Sequence, residues 1–325
     1  MSKPEVLVTR DLPGRGLELL KSFCEVDLWT ESLPPSRELL LEHIKGKDGL
    51  LCMLSDKIDA EVMDAAGPQL KVISNYAVGF DNIAIAEATA RKISVGNTPG
   101  ILTNATADFA FALLLAAARR VAEAQQYIKA DKWKTWGPSM LLGPDLAGAT
   151  LGLIGFGRIG QAVAKRASGF DMRVLYYSPT SPPVPEIAAT PVGSLESLLS
   201  QSDFVSLHIP LTVQTRQLVD AQFLAQMKPS AILVNTSRGQ MVDQDALYVA
   251  LKEKRIFAAA LDVTDPEPLP ATHPLLTLEN CLITPHIASG GKQTREKMSV
   301  VTAENLIAGL KGDHLPYCVN PEVYG

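Results

Sequence analysis

Cysteine is scarce in this chain. Four are found in 325 residues (Cys24, Cys52, Cys281 and Cys318), far apart and with no C-x-x-C pair. That spacing argues against a thiolate zinc site and against a disulfide framework. Reduced, partly buried thiols in a cytoplasmic protein are the expectation. An excess of positive charge is also missing. Thirty Lys and Arg face 35 Asp and Glu, for a net charge of −5, so no basic field invites nucleic acid. Long hydrophobic runs are absent too. The longest, "FAFALLLAAA" from Phe109, falls short of the roughly 20 residues that a membrane-spanning helix needs. The opening "MSKPEVLVTR" lacks the apolar segment of a signal peptide. Neither a nucleic acid nor a membrane is therefore expected as a partner, and no metal is expected.

What is present is a large apolar fraction, 46%, with 20% charged residues. This is the balance of a globular chain with a sizeable core, and the length suggests two domains. In the first hundred residues, short β-branched and apolar runs ("EVLVTR", "CEVDLWT", "DGLLCML", "LKVISNYA", "ISVGNT") alternate with helical patterns ("PGRGLELLKSF", "DAEVMDAAG"). Short strands joined by helices make a parallel, wound sheet, because parallel neighbours need a crossover. One long helix is expected over Thr103–Ala130, followed by a Gly- and Pro-broken excursion near 131–149. Trp133 and Trp136 on that excursion suggest a partner surface. A second strand–helix series begins at "TLGLIGFGRIG" and runs through "RVLYYS", "DFVSLHI", "AILVNTS", "FAAALDV" and "CLITPH". A last helix, Gly291 to Gly312, is expected to return to the first domain. The fold class is therefore α/β, with two wound parallel-sheet domains. The boundaries are 1–102 with 289–325 for one domain and 103–288 for the other.

Gly155, Gly157 and Gly160 form a G-x-G-x-x-G motif after an apolar strand and at the start of a helix, the context in which it binds a dinucleotide. The helix N-terminus offers free N–H groups to phosphates. The bland alternative is a glycine-rich turn without a ligand. The next strand normally ends in an acid that holds the ribose hydroxyls of NAD. Here "LYYSPTSPP", Leu175 to Pro183, places Ser178, Pro179, Thr180 and Ser181 there, and no acid follows until Glu186. Without a carboxylate to repel a 2′-phosphate, NADPH is expected over NADH, with weaker use of NADH.

Further candidates follow strands, where a wound sheet faces its ligand crevice. Arg238 lies in "NTSRG" and suits a forked pair of bonds to a carboxylate. Asp262, Asp265 and Glu267 lie in "LDVTDPEP", and His286 in "TPHIAS". A histidine beside a carboxylate makes an acid–base pair in which the acid fixes the tautomer. His43, His208, His273 and His314 are read as structural.

In this order "GFGRIG", "NTSRG", "LDVTDPEP" and "TPHIAS", with "YAVGFDNI" and "TADFAFALLLAAAR", resemble the D-isomer-specific 2-hydroxyacid dehydrogenases over essentially the whole chain. Within that family, "LLCMLSD", "WKTWGPSMLLG" and "DVTDPEPLPATHPLLTLENC" look most like the glyoxylate/hydroxypyruvate reductases. The resemblance implies a Rossmann dinucleotide-binding domain and a flavodoxin-like substrate domain built from both chain ends. It implies a homodimer that reduces a small 2-keto acid, with domain closure excluding water. His286 would be the general acid, Glu267 its partner and Arg238 the anchor of substrate carboxylate and carbonyl. Val78 and Gly79 would bind the carboxylate through backbone N–H groups, Ser55 would line the pocket, and Trp136 would reach the other subunit's site. Cofactor contacts would come from Thr106, Gly155, Phe156, Gly157, Arg158, Ile159, Gly160, Ser178, Pro179, Thr180, Pro210, Thr215, Thr236, Asp262 and His286. NADPH-using relatives often carry Arg where Pro179 stands. Two alternatives stay open: another keto acid, such as pyruvate or a keto-sugar acid, and a nucleotide-sensing scaffold like the C-terminal-binding-protein corepressors.

Overall fold

The computed structural model describes residues 3–179 and 181–325. Its elements, in chain order, are β1 (Glu5–Val8), α1 (Gly16–Phe23), β2 (Glu25–Leu28), α2 (Arg37–His43), β3 (Gly49–Cys52), α3 (Ala60–Ala66), β4 (Val72–Asn75), α4 (Ile85–Ala90) and β5 (Ser94–Gly96). Then follow α5 (Thr103–Ala118), α6 (Val121–Lys129), β6 (Thr150–Ile154), α7 (Arg158–Ala167), β7 (Arg173–Tyr177), β8 (Thr190–Pro191), α8 (Leu195–Gln201) and β9 (Phe204–Leu207). The series ends with α9 (Ala221–Gln226), β10 (Ile232–Asn235), α10 (Gln244–Lys252), β11 (Ala258–Leu261), β12 (Cys281–Ile283) and α11 (Lys292–Lys311). The chain divides into two compact units, Met1–Leu102 with Gly290–Gly325, and Thr103–Ser289.

The first unit holds a five-stranded sheet in the order β2-β1-β3-β4-β5, parallel throughout. Its strands are short apolar runs because helices cover both faces. Val6, Val8, Leu51 and Val72 pack with Ala303, Leu306 and Leu310 of α11. The alternate residues Leu7, Leu50, Cys52 and Ile73 pack against Leu40 of α2 and Val62 and Met63 of α3. Successive side chains of a strand point to opposite faces, so one run of sequence feeds two cores.

The second unit holds a seven-stranded parallel sheet in the order β12-β11-β10-β9-β6-β7-β8. The strand order reverses between β6 and β9, the position where open α/β sheets form a ligand crevice. One face is buried under α5 and α7, the other under α8, α9 and α10. The edge strand β8, which the sequence pattern did not suggest, is two residues long and contains Pro191; an edge position spares proline the missing ladder bond.

The expected helix over Thr103–Ala130 is two helices. Arg120, between α5 and α6, is left-handed (φ 51°), and its guanidinium bonds Glu123 and the Leu142 carbonyl, the latter at 3.2 Å. The excursion returns onto this break so closely that a Cβ on Gly143 would lie 1.8 Å from the Ala118 carbonyl oxygen. Tertiary contact therefore ends α5, which is largely buried, before α6, which has no buried residue.

Burial pushes the thiols of Cys24 and Cys281 up to about 11 and about 12 and raises that of Cys52 as well. All four cysteines are free. Among the described residues no helix is long and apolar enough to cross a membrane, and no group of three or more His, Cys, Asp or Glu side chains is placed to hold a metal.

Candidate active site

The glycine motif turns the chain from β6 into α7. Gly155 has φ +94°, and a Cβ there would lie 2.4 Å from the His208 carbonyl oxygen. At Gly160 a Cβ would lie 2.3 Å from the Gly155 carbonyl oxygen. Both glycines are demanded by the protein's own packing. Gly157 is different: a Cβ there would meet nothing within 4 Å. Phe156 is buried and stacks on Tyr176, ring centroids 3.9 Å apart, so only its backbone is open to a ligand. Arg158 is exposed and Ile159 half-buried. His208, at the end of β9, is bonded to Ser206 Oγ at 2.9 Å. Desolvation pushes its imidazole down to about 4, so it is neutral at physiological pH.

At the end of β7 the hydroxyls of Ser178 and Ser181 bond each other at 2.9 Å. Pro179 is exposed, and Thr180 lies outside the described residues. Beyond β9, Thr215 Oγ1 donates to the Pro210 carbonyl at 2.8 Å. Thr106 is buried near the start of α5. Thr236, just past β10, keeps a buried hydroxyl with no partner among the described residues.

The segments that follow β10, β11 and β12 carry Arg238, Glu267 and His286. Past β10, Asn235 Nδ2 donates to the Arg238 carbonyl at 2.9 Å, Asn235 Oδ1 accepts from Ser237 N at 2.9 Å, and Ser237 Oγ donates to the Leu207 carbonyl at 2.8 Å. These bonds tie the turn that carries Arg238 to β9. Past β11, Glu267 Oε1 accepts from Thr264 N at 2.9 Å, which aims Oε2 at His286 Nδ1, 2.8 Å away. Burial alone would raise the Glu267 carboxyl. The His286 contact, the Thr264 N–H and the charge of Arg238 outweigh it and hold the carboxyl below its ordinary value.

His286 has φ +54°, an unusual conformation outside glycine. Asp262, buried at the end of β11, sustains it. Its carbonyl accepts from His286 N at 2.8 Å. Its Oδ1 accepts from Thr284 Oγ1 at 2.7 Å and Ile287 N at 2.8 Å, and its Oδ2 from Ala288 N at 2.7 Å. This turn-ordering by Asp262, and the knitting by Asn235, were not evident in the sequence; the only signal was a polar residue closing each apolar run.

In the first unit, Ser55 is exposed beyond β3 with Oγ 3.5 Å from Asp56 Oδ1, and Val78 and Gly79 are half-buried beyond β4. On the excursion, Trp136 is 74% exposed and Trp133 57%.

Residues 111–288 match the family model of the D-isomer specific 2-hydroxyacid dehydrogenase NAD-binding domain. The chain belongs to the D-isomer-specific 2-hydroxyacid dehydrogenases. It is 53% identical to a glyoxylate reductase of Korarchaeum cryptofilum, over 99% of this chain and 97% of that one. A Thermus thermophilus protein of known structure shares 51% identity with a TM-score of 0.91, over 97% of this chain and 99% of that one. An NADPH-dependent glyoxylate/hydroxypyruvate reductase from Sinorhizobium meliloti, solved with NADP and malonate, shares 32% identity with a TM-score of 0.87 over 99% and 98% of the two chains.

For a D-2-hydroxyacid dehydrogenase, the β6–α7 turn fits the pyrophosphate of a dinucleotide. The open space at Gly157, and the buried Thr236 hydroxyl that has no partner among the described residues, are what such a ligand would use. Gly157→Ala should therefore keep the wild-type thermal midpoint while weakening dinucleotide binding about tenfold, the effect of a methyl pushed into a fitted interface. Thermal unfolding and a fluorescence titration with NADPH read the two effects separately. A loss of stability without a loss of affinity would place the pyrophosphate elsewhere.

Proposed function

We propose that this dehydrogenase reduces glyoxylate to glycolate and hydroxypyruvate to D-glycerate, with NADPH preferred and NADH used more weakly. The observation that carries the reading is the 2.8 Å contact between His286 Nδ1 and Glu267 Oε2, set past the neighbouring strands β11 and β12 of the sheet whose β6 leads into the glycine-rich turn. Similarity to glyoxylate reductases supports the choice of substrate.

A nicotinamide cofactor bound at that turn supplies the hydride. As charge develops on the substrate's carbonyl oxygen, His286 gives it the Nε2 proton. Glu267 fixes the orientation of the ring through Nδ1, which leaves Nε2 to face the substrate. Arg238 offers planar paired donors to the carboxylate and the carbonyl oxygen. Asp262 spends three acceptor sites on the 284–288 turn; a carboxylate has about four, so one remains for the nicotinamide carboxamide. The Val78 and Gly79 N–H groups take the substrate carboxylate, and Ser55 lines the pocket. Trp133, Trp136 and Leu142, all exposed, form the surface of a homodimer in which Trp136 reaches the partner's substrate. Four free thiols suit work in the cytoplasm.

NADPH absorbance followed with glyoxylate, hydroxypyruvate and pyruvate tests the reading. Glyoxylate and hydroxypyruvate should turn over with higher kcat/KM than pyruvate. Absence of turnover with all three would end it.

The cofactor preference rests on the missing carboxylate at Ser178. Ser178→Asp should shift the NADPH-to-NADH ratio of kcat/KM toward NADH by about tenfold or more, since a carboxylate near a 2′-phosphate costs over ~1 kcal/mol even when well solvated. An unchanged ratio would mean that the ribose lies elsewhere.

The Glu267 contact also sets a pH dependence. The Glu267 carboxyl is held below its ordinary value, so the pair stays intact until pH falls below the ordinary carboxylate range. kcat/KM should fall only there, and Glu267→Gln, which has no carboxyl to protonate, should lose that acid limb; a pH–rate profile with the acid limb unchanged would contradict the pairing.

A further inference from the structure

Beyond β4, three consecutive peptide groups have their carbonyls held. The Ala77 carbonyl accepts from Thr98 N at 2.9 Å, the Val78 carbonyl from Asn97 Nδ2 at 2.7 Å, and the Gly79 carbonyl from Asn75 Nδ2 at 2.9 Å. These peptides are trans; the cis bonds among the described residues precede Pro266 and Pro268. In a planar trans peptide the N–H points away from the carbonyl. Holding these carbonyls therefore fixes the N–H groups of Val78, Gly79 and Phe80 on the opposite edge of the loop. Among the described residues, those N–H groups donate to no protein acceptor.

The two asparagines are themselves fixed. Asn75 is fully buried at the end of β4. Its second amide hydrogen goes to Asn82 Oδ1 at 3.0 Å, and Asn82 Nδ2 donates to the carbonyls of Met53 and Asp56, each at 3.0 Å. Asn97 is buried just past β5. Its carbonyl accepts from Asn305 Nδ2 of α11 at 2.9 Å, and Asn305 Oδ1 accepts from Tyr317 N at 3.0 Å. Buried amides are costly unless bonded, and here the bonds converge on the backbone of one loop.

We propose that Asn75 and Asn97 are positioning residues for carboxylate recognition. By pinning the carbonyls of residues 78 and 79, they keep this peptide run from turning a carbonyl toward the anion and present its N–H edge instead. A run of aligned N–H groups makes an anion-binding concavity, and donors already oriented cost nothing to reorganise when substrate arrives. The proposal rests on the reading that the Val78 and Gly79 N–H groups bind the substrate carboxylate.

The test uses the full-length enzyme with oxalate as a probe, a two-carbon dicarboxylate with no reducible carbonyl. In Asn97→Ala and Asn75→Ala, the KM for glyoxylate and the inhibition constant of oxalate should rise together, by about tenfold for the loss of one buried hydrogen bond. The fall in kcat should be smaller than the rise in KM, and the NADPH dissociation constant should stay at the wild-type value. A merely structural role would not move KM and oxalate inhibition together while sparing NADPH. Asn97→Asp keeps the volume but replaces the donor with an acceptor, and should show the same rise. If Asn75→Ala does not fold, the two Asn97 variants decide. Folded variants with unchanged KM and oxalate inhibition would overturn the proposal. In the wild type, ¹⁵N-labelled amide signals of Val78 and Gly79 should move on titration with oxalate. If they stay still, the carboxylate reading itself fails; if they move while the variants bind normally, only the role of the asparagines fails.

Discussion

His286→Asn should lower kcat for glyoxylate reduction by about 10²- to 10⁴-fold, the contribution expected of a positioned general acid. NADPH affinity should change far less than kcat, because the glycine-rich turn is built by β6, α7 and the end of β9 and His286 is one of many cofactor contacts. The loss should fall on kcat and kcat/KM together, as for a group that acts in the transition state. Asparagine is also common in the left-handed conformation that residue 286 adopts (φ 54°), so the turn itself should survive. Steady-state kinetics with an NADPH fluorescence titration check both parts. Lost cofactor binding would contradict the assigned role.

Arg238→Gln should show the second large effect. The variant keeps a polar side chain but loses the charge and the paired planar donors. kcat/KM should fall by about 10²- to 10³-fold, the cost of removing one oriented donor from a developing oxyanion. KM should rise and kcat fall, because the same side chain serves the carboxylate and the carbonyl. Arg238→Lys should recover little, since an ammonium cannot reproduce the fork. The charge of Arg238 also helps to hold the Glu267 carboxyl down, so the pH–rate profile of the variant should alter as well. A variant with only KM changed would restrict Arg238 to substrate binding.

Much of this architecture is legible in the sequence because parallel strands buried on both faces are short apolar runs that end in polar residues. Val6–Val8, Val72–Ile73 and Ile232–Val234 are of this kind, and the residues that follow such runs are the ones a wound sheet turns toward its crevice. Arg238, Glu267 and His286 could be singled out on that ground. Their arrangement could not. The Glu267–His286 contact spans 19 positions and depends on β11 and β12 being neighbours. The break at Arg120 was hidden for a similar reason. The α5–α6 sequence is helical in pattern, and what ends α5 is the approach of Gly143, which lies on a later segment. Asn75 and Asn97 carry no signal in the sequence, because asparagine at a strand end is ordinary next to a turn; only the acceptors of their amides distinguish them. Ser178 is the reverse case, where the absence of a carboxylate was plain in the sequence and the two serine hydroxyls found there bond each other.

The proposed reaction moves a hydride onto a 2-keto acid at the site marked by His286, Glu267 and Arg238. The most direct test is to incubate the enzyme with glyoxylate and NADPH that carries deuterium at both C4 positions of the nicotinamide, and to weigh the product by mass spectrometry. Glycolate carrying one deuterium on carbon for each NADPH consumed is the predicted result, with none formed by His286→Asn on the same timescale. Unlabelled glycolate, or NADPH oxidised without glycolate, would contradict it.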